Sequence, residues 1–237
     1  MLWQGHDRAG PPERRRSARR QGAPLLAADG GARLTHMARD AMGLNAPARL
    51  LAALSMVAGV AWLAAPWLPL PPTLALIGKG APVALLALAA AACARSADGW
   101  LLALAMALGA AGDVLIEMSF GAGAAAFAAG HVAAIILYAR NRRKALGAAD
   151  MAVAAGLLLI GLIGPALLLP EGMRVMPFTL YALLLTGMAA AAWASRYPRL
   201  VGYGALLFVA SDALIGWRIA SGSASVLLGA AIWSLYY

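Results

Sequence analysis

Charged side chains are scarce in this chain, since Asp, Glu, Lys and Arg together make up 12% of its 237 residues. Soluble globular domains carry roughly 25%, so the composition excludes a soluble fold. Apolar residues take their place: 62% of the chain is hydrophobic, and its mean hydropathy is +0.76. We therefore predict an all-α, polytopic membrane protein.

Cysteine and the common catalytic motifs are also lacking. The single cysteine, Cys93, lies in an apolar run and can form no intrachain disulfide, so we interpret it as a small buried residue. No HxxxH or ExxH pair, no phosphate-binding glycine loop and no GxSxG sequence occurs. We therefore predict neither a metal site nor a cofactor.

The formal net charge of +9 would suggest nucleic-acid binding if the basic residues clustered in a folded region. Instead, eight of the nineteen Lys and Arg residues precede Pro47, and most others lie between apolar runs. We predict no nucleic-acid partner. Residues 1–47 form a predicted disordered basic tail, and residues 48–237 a transmembrane domain. Alternatively, translation begins at Met37 or Met42.

Eight apolar runs follow, and we predict that each is a helix that crosses the membrane, which takes roughly 17 to 25 residues. Their approximate bounds are 49–66, 73–94, 99–118, 122–140, 150–169, 174–194, 199–219 and 223–237. A proline-rich turn follows the first run, and a Gly-rich turn at 119–123 precedes the fourth.

The charges between the runs predict the topology. If the N-terminus is cytoplasmic, the cytoplasmic loops contain seven basic residues: Arg95, Arg140, Arg142, Arg143, Lys144, Arg196 and Arg199. The outer loops contain two, Arg174 and Arg218. Cytoplasmic loops are enriched in Lys and Arg, so we predict that both termini are cytoplasmic, in the inner membrane of a bacterium.

Several polar residues interrupt the apolar runs at a similar predicted depth, in the outer half of the membrane: Lys79, Asp113, Glu117, His131, Tyr181 and Asp212. An ionisable side chain inside a membrane costs about 2.5 to 3.5 kcal/mol on insertion scales. Such residues therefore need a partner or a function, and their common depth favours one shared site.

Each of these residues also has a structural interpretation. Lys79 could extend to the interface, and Glu117 could lie in water. Asp113 and Asp212 could form a structural ion pair with Lys79. His131 could donate to a backbone carbonyl, and the tyrosines at 138, 181, 236 and 237 could be packing residues.

A Ser-His-Asp hydrolase built from Ser211, His131 and Asp212 is disfavoured. Ser211 and Asp212 are adjacent in the sequence, so on a helix their side chains point about 100° apart. A site for a metal ion is weakly supported, because one histidine and two or three carboxylates occur without ligand spacing.

Several separated segments resemble the YhhN-like family of membrane proteins, the lysoplasmalogenases. They are Lys79 with Pro82, LGAAGDVLIE, FAAGHVAAIILY, Tyr181 to Met188 and GALLFVASDALI. They occur in family order over most of residues 50–237. Two departures are the Gly-Ala between Lys79 and Pro82 and the end of the chain at Tyr236-Tyr237, where members usually continue.

The resemblance implies hydrolysis of the vinyl ether bond of a lysoplasmalogen, with a lysophospholipid and membrane lipids as partners. Two carboxylates in different protonation states suit this chemistry. We predict Asp113 and Asp212 as the catalytic residues. The predicted supporting or substrate-binding residues are Lys79, Glu117, His131, Tyr138, Tyr181 and Ser211.

A small-molecule or proton transporter is the alternative, because buried Asp, His and Lys also mark relay paths. Transporters often contain internal inverted repeats. The first four and last four apolar runs show no convincing repeat, which favours the enzyme modestly.

Overall fold

A computed structural model of the chain describes residues 44–170 and 176–237. The described residues form eight α-helices and no β-strand, which confirms the predicted all-α class. The helices are α1 (Ala46–Trp62), α2 (Pro72–Cys93), α3 (Ala97–Met118), α4 (Phe120–Arg140), α5 (Ala148–Leu168), α6 (Met176–Ala194), α7 (Arg199–Ser221) and α8 (Val226–Tyr236). Most of the predicted basic tail, residues 1–43, and Arg174 of the predicted outer loop lie outside the described residues.

Helices α2 to α7 are long and apolar enough to cross a membrane, with lengths from 19 to 23 residues. Helix α1 has 17 residues, at the lower limit of a crossing. Helix α8 has 11 residues, or about 16 Å at about 1.5 Å per residue. It begins later than predicted, because the α7 helix ends at Gly222, whose φ of 64° is left-handed, and Ser225 caps α8.

The outer surface of the bundle is apolar. Helix α5 shows this most clearly, because its residues Leu158, Leu159, Ile160, Leu162 and Ile163 are all exposed. A continuous apolar surface of this kind is unfavourable in water and suits a lipid environment. Together with the six long apolar helices, it identifies a multi-pass membrane protein.

One residue, Ser119, separates α3 from α4. Its hydroxyl accepts a hydrogen bond from the backbone N–H of Ala122 at 3.4 Å, so it caps α4 where α3 ends. The predicted Gly-rich turn at 119–123 is therefore wrong, since α4 already begins at Phe120. Gly123 instead allows close packing of the two helices, because a Cβ there would lie 2.5 Å from the Cα of Ile116.

Helices α1 to α4 pack in chain order, α6 packs against α4, α5 and α7, and α8 packs against α7. Helix α8 also contacts α1, where the Trp233 indole N–H donates to the carbonyl of Gly59 at 2.8 Å. The Tyr237 ring lies over Gly59, where a Cβ would clash with it. These contacts hold the C-terminal tyrosines inside the bundle.

Salt bridges gather at one end of the bundle, where α4 and α6 end and α3, α5 and α7 begin. We call it the arginine end. Asp98 accepts hydrogen bonds from Arg140 at 2.8 Å and from Asn141 at 2.7 Å. Asp150 pairs with Arg143 at 2.7 Å and with Arg199 at 2.8 Å. These pairs join α3 to α4 and α5 to α7 near the loops.

Candidate active site

A cavity of about 840 Å³ opens at the opposite end of the bundle, and helices α2 to α8 contribute to its wall. Most of the wall is apolar. The polar side chains that line it are Lys79, Asp113, Glu117, Tyr181, Thr186, Ser211, Asp212, Arg218 and Tyr236. Ligand sites commonly combine an apolar wall with a few polar groups, in volumes of about 300 to 1,000 Å³.

Asp113 lies on α3 and is 3% exposed. Its carboxylate accepts a hydrogen bond from the Tyr236 hydroxyl of α8 at 2.7 Å. The preceding residue, Gly112, faces the ring of Phe127, and a Cβ there would lie 2.7 Å from that ring. The GD sequence therefore lets α4 approach α3 closely beside a buried carboxylate.

Asp212 lies on α7 and accepts a hydrogen bond from the Tyr181 hydroxyl of α6 at 2.7 Å. Its neighbour Ser211 is fully buried and donates to the carbonyl of Ile232 on α8 at 2.9 Å. The two adjacent residues thus have partners on different helices: Ser211 bonds to α8, and Asp212 bonds to a tyrosine of α6. Asp113 and Asp212 line the same cavity.

A row of contacting aromatic rings links the two tyrosines that donate to the aspartates. The Phe208 ring lies 5.1 Å from the Tyr236 ring and 5.2 Å from the His131 ring. The His131 ring lies 5.6 Å from that of Tyr181. These edge and tilted contacts orient the rings of Tyr181 and Tyr236. A continuous aromatic row therefore runs between the two tyrosines that hold the carboxylates.

Lys79 of α2 forms an ion pair with Glu117 of α3 at the mouth of the cavity. The side chain of Glu117 is 51% exposed, and that of Lys79 is 22% exposed. The alternative in which Lys79 pairs with Asp113 or Asp212 is therefore not the observed arrangement. Lys79 and Asp113 nevertheless line the same cavity.

A family model, described as the YhhN family, matches residues 74–237. The chain belongs to the YhhN family. No curated protein and no solved structure matches the chain. The match includes all the candidate site residues, from Lys79 on α2 to Tyr236 on α8.

Six of the eight site residues predicted from the sequence of this YhhN family member line the cavity: Lys79, Asp113, Glu117, Tyr181, Ser211 and Asp212. His131 is 3% exposed and lies behind the cavity wall, against Tyr181 and Phe208. Its Nε2 has no hydrogen-bond partner among the described residues. It is thus not hydrogen-bonded to Ser211, as a Ser-His-Asp hydrolase would require.

Tyr138 is not brought to the cavity. It lies near the arginine end of α4, where its ring is 6.0 Å from that of Tyr197. It also packs against the apolar core formed by α5, α6 and α7. Its sequence position, seven residues after His131, places it about 10 Å further along the helix axis. Tyr138 is therefore a packing residue in this structure.

Three polar residues of the cavity, Thr186, Tyr236 and Arg218, are not among the site residues predicted from the sequence. Tyr236 was interpreted as a packing residue, although a buried hydroxyl needs a partner, and this one donates to Asp113. Arg218 was assigned to an outer loop, yet it lies on α7 and lines the cavity. The signal for Arg218 was its position six residues after Asp212, within the same apolar run.

The described residues contain no group of three or more His, Cys, Asp or Glu side chains arranged to hold a metal ion. The carboxyl and hydroxyl groups that line the cavity can transfer protons. Two carboxylates, each with one oxygen held by a tyrosine, face one cavity. One can donate and the other accept a proton if their protonation states differ.

Proposed function

We propose that this YhhN-family protein is a membrane hydrolase that cleaves the vinyl ether bond of a lysoplasmalogen. The products would be a fatty aldehyde and a glycerophospho-alcohol. The observation that carries the proposal is the convergence of Asp113 and Asp212, each with its own tyrosine donor, on one largely apolar cavity.

The reaction needs one acid and one base. A protonated carboxyl group donates its proton to the alkene carbon of the vinyl ether, which produces an oxocarbenium ion. The other carboxylate removes a proton from the water that attacks this ion, which forms a hemiacetal. The hemiacetal then breaks its C–O bond: its hydroxyl gives its proton to the carboxylate that donated the first one, and the released oxygen takes up the proton held by the other carboxyl group. The products are the alcohol and the aldehyde. One water molecule is consumed, and no oxidant is required.

The cavity suits a lipid with a single chain. Its apolar residues Ile160, Leu168, Leu184 and Ile219 come from helices α5, α6 and α7, and the polar residues gather near the ends of α2, α3 and α7. Helices α5 and α7 have few direct contacts with each other. A chain entering from the bilayer between them would lie along apolar side chains, with its head group near the mouth.

The topology is part of the proposal. The seven-to-two distribution of basic residues supports cytoplasmic termini in a bacterial inner membrane, with the cavity in the outer half. Lysophospholipid and membrane lipids are the proposed partners, with no nucleic acid. A periplasm-specific reporter fused after Tyr237 should stay inactive, and an active fusion would overturn this topology.

The proposal is tested by incubating the purified full chain with a panel of lysolipids that differ only at the first glycerol position. We expect aldehyde release from the 1-alkenyl lysolipid and none from the 1-alkyl lysolipid. Fatty acid release from the 1-acyl lysolipid would point to an esterase. If no lysolipid is hydrolysed and the protein in vesicles instead carries protons, the transporter alternative would replace the hydrolase.

A further inference from the structure

Two basic side chains line the cavity among the described residues, and they differ in their partners. Lys79 is neutralised by its ion pair with Glu117. Arg218, in the last turn of α7, has no hydrogen bond or ion pair with any residue in 44–170 or 176–237. Its Nη1 lies 3.5 Å from the position that a Cβ on Gly229 of α8 would occupy. The guanidinium group therefore has its donors free.

A guanidinium group is charged at every physiological pH and carries five donors in a planar fork. This fork matches two oxygens of a phosphate or carboxylate. Arg218 is exposed in the last turn of α7, so its guanidinium group is open to a ligand that reaches the cavity from the mouth. Arg218 is thus suited to an anion that arrives from outside the protein.

The position of Arg218 selects the kind of anion. It follows Asp212 by six residues, or about 9 Å along the axis of α7 toward its C-terminal end. Asp113 and Asp212 carry acidic groups deeper in the same cavity, so a ligand's anionic group is expected to favour the Arg218 end. The ligand's apolar chain then extends past the aspartates into the apolar part of the cavity.

We propose that Arg218 binds the phosphate group of a single-chain glycerophospholipid and so sets the position of its chain. This proposal rests on the proposed function, because it takes a lysophospholipid as the ligand. The three-carbon glycerol unit separates the phosphate from the bond at the first position. With the phosphate on Arg218, that bond lies deeper, on the side of the aspartates.

A purely structural role for Arg218 is the alternative to this proposal. A cation in the last turn of a helix is favoured by the helix dipole, and a long basic side chain can extend to the lipid interface. Neither role depends on a ligand in the cavity. The two interpretations therefore differ in how the ligand's phosphate affects binding.

The test measures binding of two ligands that the proposed reaction cannot cleave: a 1-O-alkyl lysophospholipid and the matching 1-O-alkylglycerol without phosphate. The full chain is compared with Arg218→Gln, Arg218→Lys and a control, Arg142→Gln. Arg142 is exposed and lies at the arginine end. We expect Arg218→Gln to weaken lysophospholipid binding by about 10- to 100-fold, the usual effect of a hydrogen bond to a charged group.

Arg218→Lys should lose only part of this affinity, because it keeps the charge and lacks the fork. None of the variants should change alkylglycerol binding, and Arg142→Gln should bind both ligands as the unchanged chain does. Equal weakening for both ligands in Arg218→Gln, or no weakening for either, would overturn the proposal.

Glycerol 3-phosphate and inorganic phosphate separate a lipid head group from a free phosphate. If either competes as strongly as the lysophospholipid does, the site is one for free phosphate, and the lipid proposal fails. Aldehyde release is measured separately on the 1-alkenyl lysolipid. Arg218-dependent binding without aldehyde release would overturn the hydrolase and leave the phosphate site standing.

Discussion

The two ends of the bundle differ in the side chains that bind their carboxylates. At the arginine end, Asp150 pairs with Arg143 and Arg199, and Asp98 pairs with Arg140. At the cavity, Asp113 and Asp212 accept hydrogen bonds from tyrosine hydroxyls, which are neutral donors. A carboxylate held by arginine keeps its negative charge, whereas one held by a tyrosine in an apolar wall remains able to take up a proton.

This difference separates structural carboxylates from reactive ones. The arginine-held aspartates join helices near the loops, where their charges are neutralised. The tyrosine-held aspartates face a space that can admit a ligand, and no side chain of the described residues forms an ion pair with either of them. Four sets of substitutions test whether the difference is functional.

Asp113→Asn and Asp212→Asn should have the largest effect. Each should reduce vinyl ether hydrolysis by about 10²- to 10⁴-fold, because asparagine keeps the shape of aspartate and cannot transfer the proton. The measurement is aldehyde release per folded molecule, with folding checked by thermal unfolding in detergent.

The structural alternative makes a different prediction for the same residue. If Asp113 mainly balances the charge of Lys79, Asp113→Asn should lower activity only as far as it lowers the folded fraction. Adding Lys79→Met should then restore both. Recovery of turnover in the double variant would contradict the catalytic role of Asp113.

Tyr236→Phe and Tyr181→Phe should have the next largest effect. Each removes one hydroxyl donor to an aspartate, and a hydrogen bond to a charged group contributes about 1.5 to 3 kcal/mol, or about 10- to 100-fold in rate. The readout is kcat on the 1-alkenyl lysolipid. Tyr138→Phe is the matched control, because its ring is partly buried against the apolar core of α5, α6 and α7 and does not line the cavity. A similar loss in the Tyr138 variant would mean that the effect is one of packing.

Asp150→Asn should change stability and leave the chemistry intact. It removes the shared partner of Arg143 and Arg199, and it also weakens the contact to the Trp193 indole N–H. We expect a lower melting temperature and an unchanged rate per folded molecule. A reduced rate in protein that unfolds at the normal temperature would show that the two ends of the bundle are not independent.

Glu117→Gln should have the smallest effect. The side chain is 51% exposed, and exposed ion pairs usually contribute less than about 1 kcal/mol to stability. Hydrolysis should fall by less than about threefold, which a lysolipid titration can detect. A loss as large as that of the aspartate variants would place Glu117 among the catalytic groups.

The helices and the aspartates could be predicted from local sequence. An apolar run of about twenty residues predicts a crossing by length alone, and a charge within it stands out because of its cost. Asp113 and Asp212 were found in this way. The close packing of α3 and α4 could not be predicted in this way. Gly123 resembles a turn residue in the sequence, and only the structure shows that it lies against Ile116.

The hydrogen-bond and ion-pair partners of these side chains could not be predicted from the sequence. Tyr236 and Asp113 are separated by 123 positions, and no local pattern links them. Three carboxylates were candidate partners for Lys79, and the structure shows an ion pair with Glu117. His131 and Tyr138 lie on the same helix, yet only His131 packs against a cavity residue.

The amino-acid sequence by itself determined that this chain enters a membrane, how many helices residues 44–170 and 176–237 form and which carboxylates lie within them. Those properties depend on the free energy of transferring each apolar run from water into the membrane. This free energy is a sum over the residues of the run, so it can be read from local sequence. Only the tertiary structure decided which groups meet. The rotation of each helix about its axis and its closest neighbours set the pairs Tyr236 with Asp113 and Tyr181 with Asp212. They also left Arg218 without a counter-charge among the described residues, because partners on different helices are selected by packing in three dimensions.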